Sequence, residues 1–189
     1  MLKKENFRIF LRALEFDDFN KTLKWRHDSV YQKGVASTNR FISVETEKKW
    51  IENAIKNHEQ GTEIRLAVII KEDEEMIGMV YLTNINYING TAIMGSLLGV
   101  DENRGKGYIT EARYLLFEYA FMQLNLQRIS ATILENNVSS RKSVEKFGYV
   151  REGLLRNAVF KNGEYHNLVA YSMLKDEFIK RYKPTDNSR

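Results

Sequence analysis

Asp101 to Ala112 reads DENRGKGYITEA, two glycines and two cations between an apolar run that ends at Val100 and a stretch whose apolar residues return at helical spacing. Tyr108, Ala112, Leu115, Leu116, Tyr119 and Ala120 keep that spacing, which predicts a helix from about Gly107 to Leu124. On the N-terminal side the pattern differs. EIRLAVII, MIGMVYLTNI and TAIMGSLLGV are short, largely apolar and separated by turn residues, so they read as three strands of a meander. Farther upstream, FRIFLRAL alternates Phe7, Ile9 and Leu11 as a strand would. Helices are expected from Asp17 or Asp18 to about Trp25, and from Ser43 as N-cap to a stop at Gly61. On the C-terminal side RISATIL reads as a strand. NNVSSRKSVEKFG reads as a helix capped by Asn137 and stopped by Gly148, and YVREGLLRNAVF with EYHNLVAYSML as a hairpin turning at KNGE. Strand, helix, strand, helix and hairpin make an α/β plan around a mixed sheet.

The 189 residues, 43% of them hydrophobic, suffice for one sizeable core, so a single domain over 1–189 is expected. Its ordered part should run from about Phe7 to Leu174, with a frayed tail over 183–189. With no cysteine in the chain, disulfides, thiolate metal sites and a covalent cysteine intermediate are excluded. His27, His58 and His166 do not sit at ligand spacing, so no metal is expected. Lys and Arg exceed Asp and Glu by 29 to 25, but the charges are interspersed. That suits an anionic ligand and gives no basic stripe for nucleic acid. No apolar run approaches the roughly 20 residues that span a bilayer, and the start lacks a signal-peptide pattern, so a soluble, cytoplasmic protein without a membrane partner is expected.

The turn itself is built for an anion. Gly105 and Gly107 allow torsions and close approach that a Cβ obstructs, so successive N–H groups can converge at the N-terminus of the helix that follows. Arg104 and Lys106 add charge, and the first N–H groups of a helix need acceptors in any case. A dinucleotide fingerprint is absent because Thr110 stands where its third glycine belongs, and a P-loop needs four residues between its glycines followed by Lys-Ser/Thr.

What these residues resemble is the pyrophosphate loop of the GNAT superfamily of acetyl-CoA-dependent N-acetyltransferases, Q/R-x-x-G-x-G/A, matched by Arg104 and Gly107, with Ile109 departing at the last position. RGKGYITEA, ENNVSSRKSVEKFGYVREGLLR and NGEYHNLVAYSML recur in this order in the RimJ/RimL-like branch. With the opening FLRAL, DD and WRHD, the likeness covers about Phe7 to Leu174. The resemblance implies a GNAT fold, a central, mostly antiparallel sheet flanked by helices. It also implies acetyl-CoA as cosubstrate, held by Arg104, Gly105, Lys106, Gly107, Tyr108, Ile109 and Thr110. Named members of the branch acetylate protein N-termini, while look-alikes acetylate amino sugars, antibiotics, polyamines and amino acids. A monomer or homodimer is expected.

The chemistry sets further requirements. An aliphatic amine with a pKa near ~10 must lose a proton at a cost of roughly 4 kcal/mol before it can attack. The oxyanion needs a donor, and the resemblance assigns it to a splayed strand end, here Leu98, Gly99 and Val100. The leaving thiolate needs an acid. Much of the superfamily uses a tyrosine seven residues after Asn137, a position that is Val144 in this chain. The branch points instead to Ser140, which also reads as a plain polar residue of a first helical turn. Asn137 reads both as a pantetheine contact and as a cap. Glu102, at the mouth of the loop, and Glu152 are candidate bases, and Glu111 is expected to face solvent. Trp25, Tyr31, Trp50, Phe41, His166 and Asn167 are candidate walls of an acceptor groove, Asn167 standing where the family has an aspartate. A non-catalytic acyl-CoA-binding domain and a nucleic-acid module are the readings from other classes.

Overall fold

A computed structural model describes residues 1–28, 32, 34–36, 40–99 and 101–183. Eight strands form one sheet: β1 (Leu2–Lys3), β2 (Ile9–Ala13), β3 (Ile64–Ile70), β4 (Met76–Asn86), β5 (Thr91–Leu98), β6 (Arg128–Leu134), β7 (Val150–Lys161) and β8 (Glu164–Leu174). Among the described residues the helices with assigned bounds are α1 (Phe19–Arg26), α2 (Val44–Glu59), α3 (Tyr108–Met122), α4 (Val138–Phe147) and α5 (Lys175–Tyr182). The strand order is β1-β2-β3-β4-β5-β6-β8-β7, antiparallel throughout except for β5 beside β6. The expected GNAT-type sheet, mixed and mostly antiparallel with helices against it, is therefore present.

The one parallel step positions the site. Parallel neighbours need a long crossover, and α3 supplies it. β5 and β6 pair only from Thr91 with Arg128 to Ile93 with Ser130. Beyond that, β5 stays with β4 as far as Leu98 opposite Gly78, and β6 stays with β8 as far as Leu134 opposite Leu168. The two strands thus diverge, each held from its far side, and leave a V-shaped opening toward their C-terminal ends.

Periodicity explains most of the elements. Ser43 caps α2, its Oγ accepting from the Thr46 N–H at 3.1 Å, and Ile51 and Ala54 turn inward. α3 buries Ala112, Leu115, Leu116, Phe117, Ala120 and Phe121. Two cores result. The larger joins β2–β6 and β8 to α3, α4 and α5, and the smaller lies between β2–β5 and the α1–α2 pair. The fold also extends past Leu174. Phe178 of α5 is 0% exposed and joins the larger core, so the packed part reaches Tyr182. Eight residues with one buried aromatic are too short to show a period. Residues 184–189, most of the expected tail, lie outside the described residues. Among the described residues no helix is long and apolar enough to cross a membrane.

Candidate active site

The opening between β5 and β6 exposes one edge of β5. Successive N–H groups of a strand point to opposite edges. The Gly99 N–H is bonded to the Ile77 carbonyl at 2.8 Å, on the β4 side. Alternation therefore turns the Leu98 N–H toward the opening and removes Gly99 from the oxyanion candidates. Val100 lies outside the described residues. Gly99 has a different duty, because a Cβ there would fall 1.9 Å from Cε2 of Trp25. The indole packs flat on the strand end and is 4% exposed, which makes Trp25 a core residue behind the site, not a groove wall.

The turn before α3 has the expected torsions, with φ +75° at Gly105 and +89° at Gly107. Gly107 is the N-cap, and among the described residues no side chain caps the helix. The first helical bonds run from Thr110 and Glu111 to the Gly107 carbonyl at 2.9 and 3.2 Å, which leaves the Tyr108 and Ile109 N–H groups ahead of the ladder. A Cβ built on Gly105 would meet nothing within 4 Å, so the cradle opens to solvent. Arg104, Lys106 and Thr110 are exposed around it, and Tyr108 and Ile109 are half-buried.

Arg8, which sequence reasoning passed over, braces this turn. Its Nη2 donates to the Lys106 carbonyl at 2.8 Å, its Nε to Glu111 Oε1 at 2.7 Å, and its backbone N–H to Glu111 Oε2 at 2.8 Å. Its guanidinium also lies 4.7 Å from the centre of the Tyr108 ring. Glu111 is accordingly 16% exposed and paired, against the expectation that it faces solvent. No local pattern signals a contact between residues a hundred positions apart.

Across the opening, α4 begins on a closed cap. Asn137 Oδ1 accepts from the Ser140 N–H at 3.1 Å and its Nδ2 donates to the Gly34 carbonyl at 3.1 Å. Ser140 is half-buried in the first turn and its hydroxyl has no hydrogen-bond partner among the described residues. Val144, at the tyrosine position, is 4% exposed in the core. Lys161, at the end of β7, donates to the Val35 carbonyl at 2.7 Å and to the Gln32 carbonyl. Together Asn137 and Lys161 hold the segment around Gly34 between α4 and the β7–β8 hairpin. Burial holds the Lys161 ammonium below its ordinary pKa.

The carboxylate candidates fare differently. Glu102 is exposed in a single 3-10 turn, Asp101–Asn103, with no bond among the described residues that would orient it. Glu152 is not available as a base. Arg128 grips both its oxygens and Ser172 donates to Oε1 at 2.8 Å, which holds its carboxyl below the usual range. Arg128 also stands at the paired end of β5 and β6, opposite the opening. His166 rests its Nε2 3.1 Å from the Lys161 carbonyl. Asn167 repairs a bulge in β7: its Oδ1 accepts from the N–H of Asn157, itself at φ +49°, at 2.9 Å, and its Nδ2 donates to Glu135 at 2.8 Å. An aspartate could not donate to Glu135, which gives the departure from the family pattern a local structural reason. Tyr31 lies outside the described residues. On the α1–α2 side, Trp50 stacks between the guanidinium groups of Arg26 and Arg65, at 4.6 and 5.4 Å, and Arg65 lies 4.8 Å from the Tyr81 ring.

Comparison with known proteins agrees with this architecture. The family model described as acetyltransferase (GNAT) domain matches residues 8–150. The chain is 33% identical over 177 residues to Probable N-acetyltransferase YjcK of Bacillus subtilis, covering 89% of this chain and 96% of that protein. It is 27% identical over 176 residues to spermidine N(1)-acetyltransferase of Vibrio cholerae, covering 93% and 98%. A solved dodecameric spermidine N-acetyltransferase from Vibrio cholerae superposes with a TM-score of 0.76 at 26% identity, covering 93% of this chain and 99% of that one. A sheet that splays beside an uncapped helix, in a chain aligned with these acetyltransferases over nearly its whole length, places this protein in the GNAT acetyltransferase family as an N-acetyltransferase.

Proposed function

We propose that this chain passes the acetyl group of acetyl-CoA directly to a primary amine, with the α-amine of a peptide or a small amino compound as acceptor. The observation that carries the reading is the open N-terminus of α3, two glycines at positive φ and no side-chain cap, directly after the strand that borders the opening. Oxygens of a pyrophosphate are natural acceptors for the Tyr108 and Ile109 N–H groups, with Arg104 and Lys106 beside them. The thioester then lies in the opening, where the Leu98 N–H meets the developing oxyanion; one such donor is typically worth about 2.7–4 kcal/mol. Ser140, its hydroxyl unengaged, passes a proton to the departing thiolate and recovers the one that the attacking amine gives up. The amine attacks without an acetyl-enzyme, because the chain has no cysteine and, among the described residues, no Ser-His pair set up as a nucleophile.

An α-amine suits this site. Its pKa near ~7.7–8.0 leaves it far easier to deprotonate than a lysine-type amine near ~10.4, and Glu152 is committed elsewhere. The resemblance to the RimJ/RimL-like branch supports the same acceptor. A polyamine is the second reading, favoured by the spermidine acetyltransferases among the relatives. Against it, Glu47 and Glu63 on the α1–α2 side are each held by an arginine, Arg26 and Arg65.

The test is a screen of an alanyl peptide, spermidine, an aminoglycoside and free amino acids with acetyl-CoA, read by release of free thiol. Turnover of α-amines with sequential kinetics is expected. Acetylation of spermidine with none of any α-amine would establish the polyamine reading, and ping-pong kinetics would overturn direct transfer.

A further inference from the structure

The opening between β5 and β6 has two lips, and the chain around α1 touches both. Trp25 packs on the β5 lip, where a Cβ on Gly99 would fall 1.9 Å from Cε2 of its indole. Gly34 is already at the β6 lip. Its carbonyl accepts from Asn137 Nδ2 at 3.1 Å, and the Asn137 N–H is itself bonded to the Leu134 carbonyl at the end of β6 at 2.9 Å. The turn that carries Ser140 starts at this asparagine.

Three side chains fix the stretch around Gly34. Gln32 Nε2 donates back to the Arg26 carbonyl at 2.9 Å, and Asn137 holds Gly34 from α4. Lys161, at the end of β7, donates to the carbonyls of Gln32 and Val35, the second at 2.7 Å. Lys161 is 4% exposed, although its neighbours from Asn162 to Tyr165 are all in solvent. Burying an ammonium is costly unless oxygens accept from it. Here the accepting oxygens belong to the main chain of a distant segment, so what the charge fixes is the place of that segment.

We propose that Lys161 is a positioning residue for the acceptor amine: by tying Gln32 and Val35 to the hairpin, it holds the stretch at Gly34 as a wall at the mouth of the opening. The inference rests on the reading that an amine attacks a thioester lying in that opening, between the Leu98 N–H and Ser140. Lys161 touches neither reactant. It acts through the wall, which orients the amine and keeps water from the thioester. The cradle at the start of α3 is braced separately, by Arg8, and does not depend on it.

The test measures three quantities on the full chain: KM for an alanyl peptide with acetyl-CoA, hydrolysis of acetyl-CoA with no amine present, and Kd for CoA by calorimetry. Lys161→Met keeps the length and removes the ammonium, and loss of charge-assisted hydrogen bonds should raise KM for the peptide about tenfold. Amine-free hydrolysis should rise with it, while Kd for CoA stays unchanged. Gln32→Leu frees the same stretch from its other end and should move the same two quantities by less. Lys161→Arg, which keeps charged donors, should return both most of the way to the wild type. Wild-type KM and hydrolysis in both Lys161→Met and Gln32→Leu would overturn the proposal. So would a loss of CoA affinity as large as the rise in KM, since that would make Lys161 a general stabiliser of the fold. A wild type that turns over spermidine and no α-amine removes the α-amine reading alone: a raised KM for spermidine in Lys161→Met would still support the wall, and an unchanged one would overturn it.

Discussion

Two helices begin on either side of the opening, and they begin in opposite ways. α4 starts on Asn137, whose side chain accepts from the Ser140 N–H and ties the segment at Gly34, so its first turn is satisfied from within. α3 starts on Gly107 at φ +89°, with no side chain among the described residues accepting from its leading N–H groups. Asparagine is among the best N-caps and glycine at positive φ offers none of its bonding. One terminus is therefore closed for stability and the other left open toward the solvent-facing turn. The difference teaches that a helix start can be closed by its own chain or left with donors that an anion could accept from, and that a braced loop can hold the second kind in place.

Four substitutions would break or sharpen that contrast. The largest effect belongs to Ser140→Ala, which keeps the closed cap and removes the unengaged hydroxyl. Loss of one acid catalyst typically costs about 10²–10⁴ in rate, so kcat of thiol release should fall by that amount at constant CoA affinity. An unchanged kcat would leave Ser140 a plain polar residue of the turn. Next is Gly107→Val, which puts a β-branched residue at positive φ with its Cβ 3.3 Å from Arg8 Nη2. Loss of one or two hydrogen bonds to a charged group should raise the Kd for CoA about a hundredfold by calorimetry.

Asn137→Ala should open the closed terminus. Loss of an N-cap typically costs about 1 kcal/mol, so the thermal midpoint should drop by a few degrees, with CoA affinity falling much less than for Gly107→Val. A drop in CoA affinity as large as that of Gly107→Val would mean that the two termini serve the ligand alike.

The smallest effect tests the closed end of the V. Arg128 first, then Ser172, hold the Glu152 carboxyl below its ordinary value of 4.5. A group with a depressed folded pKa adds stability above its unfolded pKa and loses it as pH falls through the folded one. Glu152→Gln should therefore be less stable than the wild type at pH 7, by no more than about 1 kcal/mol for a solvent-screened pair, and the gap should narrow as pH falls below 4.5 and through the lowered folded pKa. A loss of kcat with a shifted pH profile would contradict its placement away from the chemistry.

Much of this was legible in the sequence because it is local. The strands around β3, β4 and β6, the Ser43 and Asn137 caps, the Gly148 stop and the positive φ of Gly105 and Gly107 each follow from a few adjacent residues and their torsional or hydrogen-bonding preferences. Trp25 and Asn167 show the limit. An indole looks the same in a groove and under a strand end, and only the missing Cβ of Gly99 decides between them. An amide at an aspartate position reads as a lost charge until Glu135 is found 2.8 Å away.

The sequence by itself determined the order of the elements, the glycine torsions of the turn before α3 and the family likeness, since each is written in contiguous residues whose spacing reflects helix period, strand alternation or glycine torsions. Tertiary structure alone decided which carboxylates are free, because Arg8 reaches Glu111 and Arg128 reaches Glu152 only across the folded sheet. It also decided that Leu98 faces the opening and Gly99 does not, and that Phe7, Tyr114, Phe147 and Tyr182 close a cleft. Contacts between residues far apart in the chain depend on strand pairing and helix packing, and no local propensity encodes their partners.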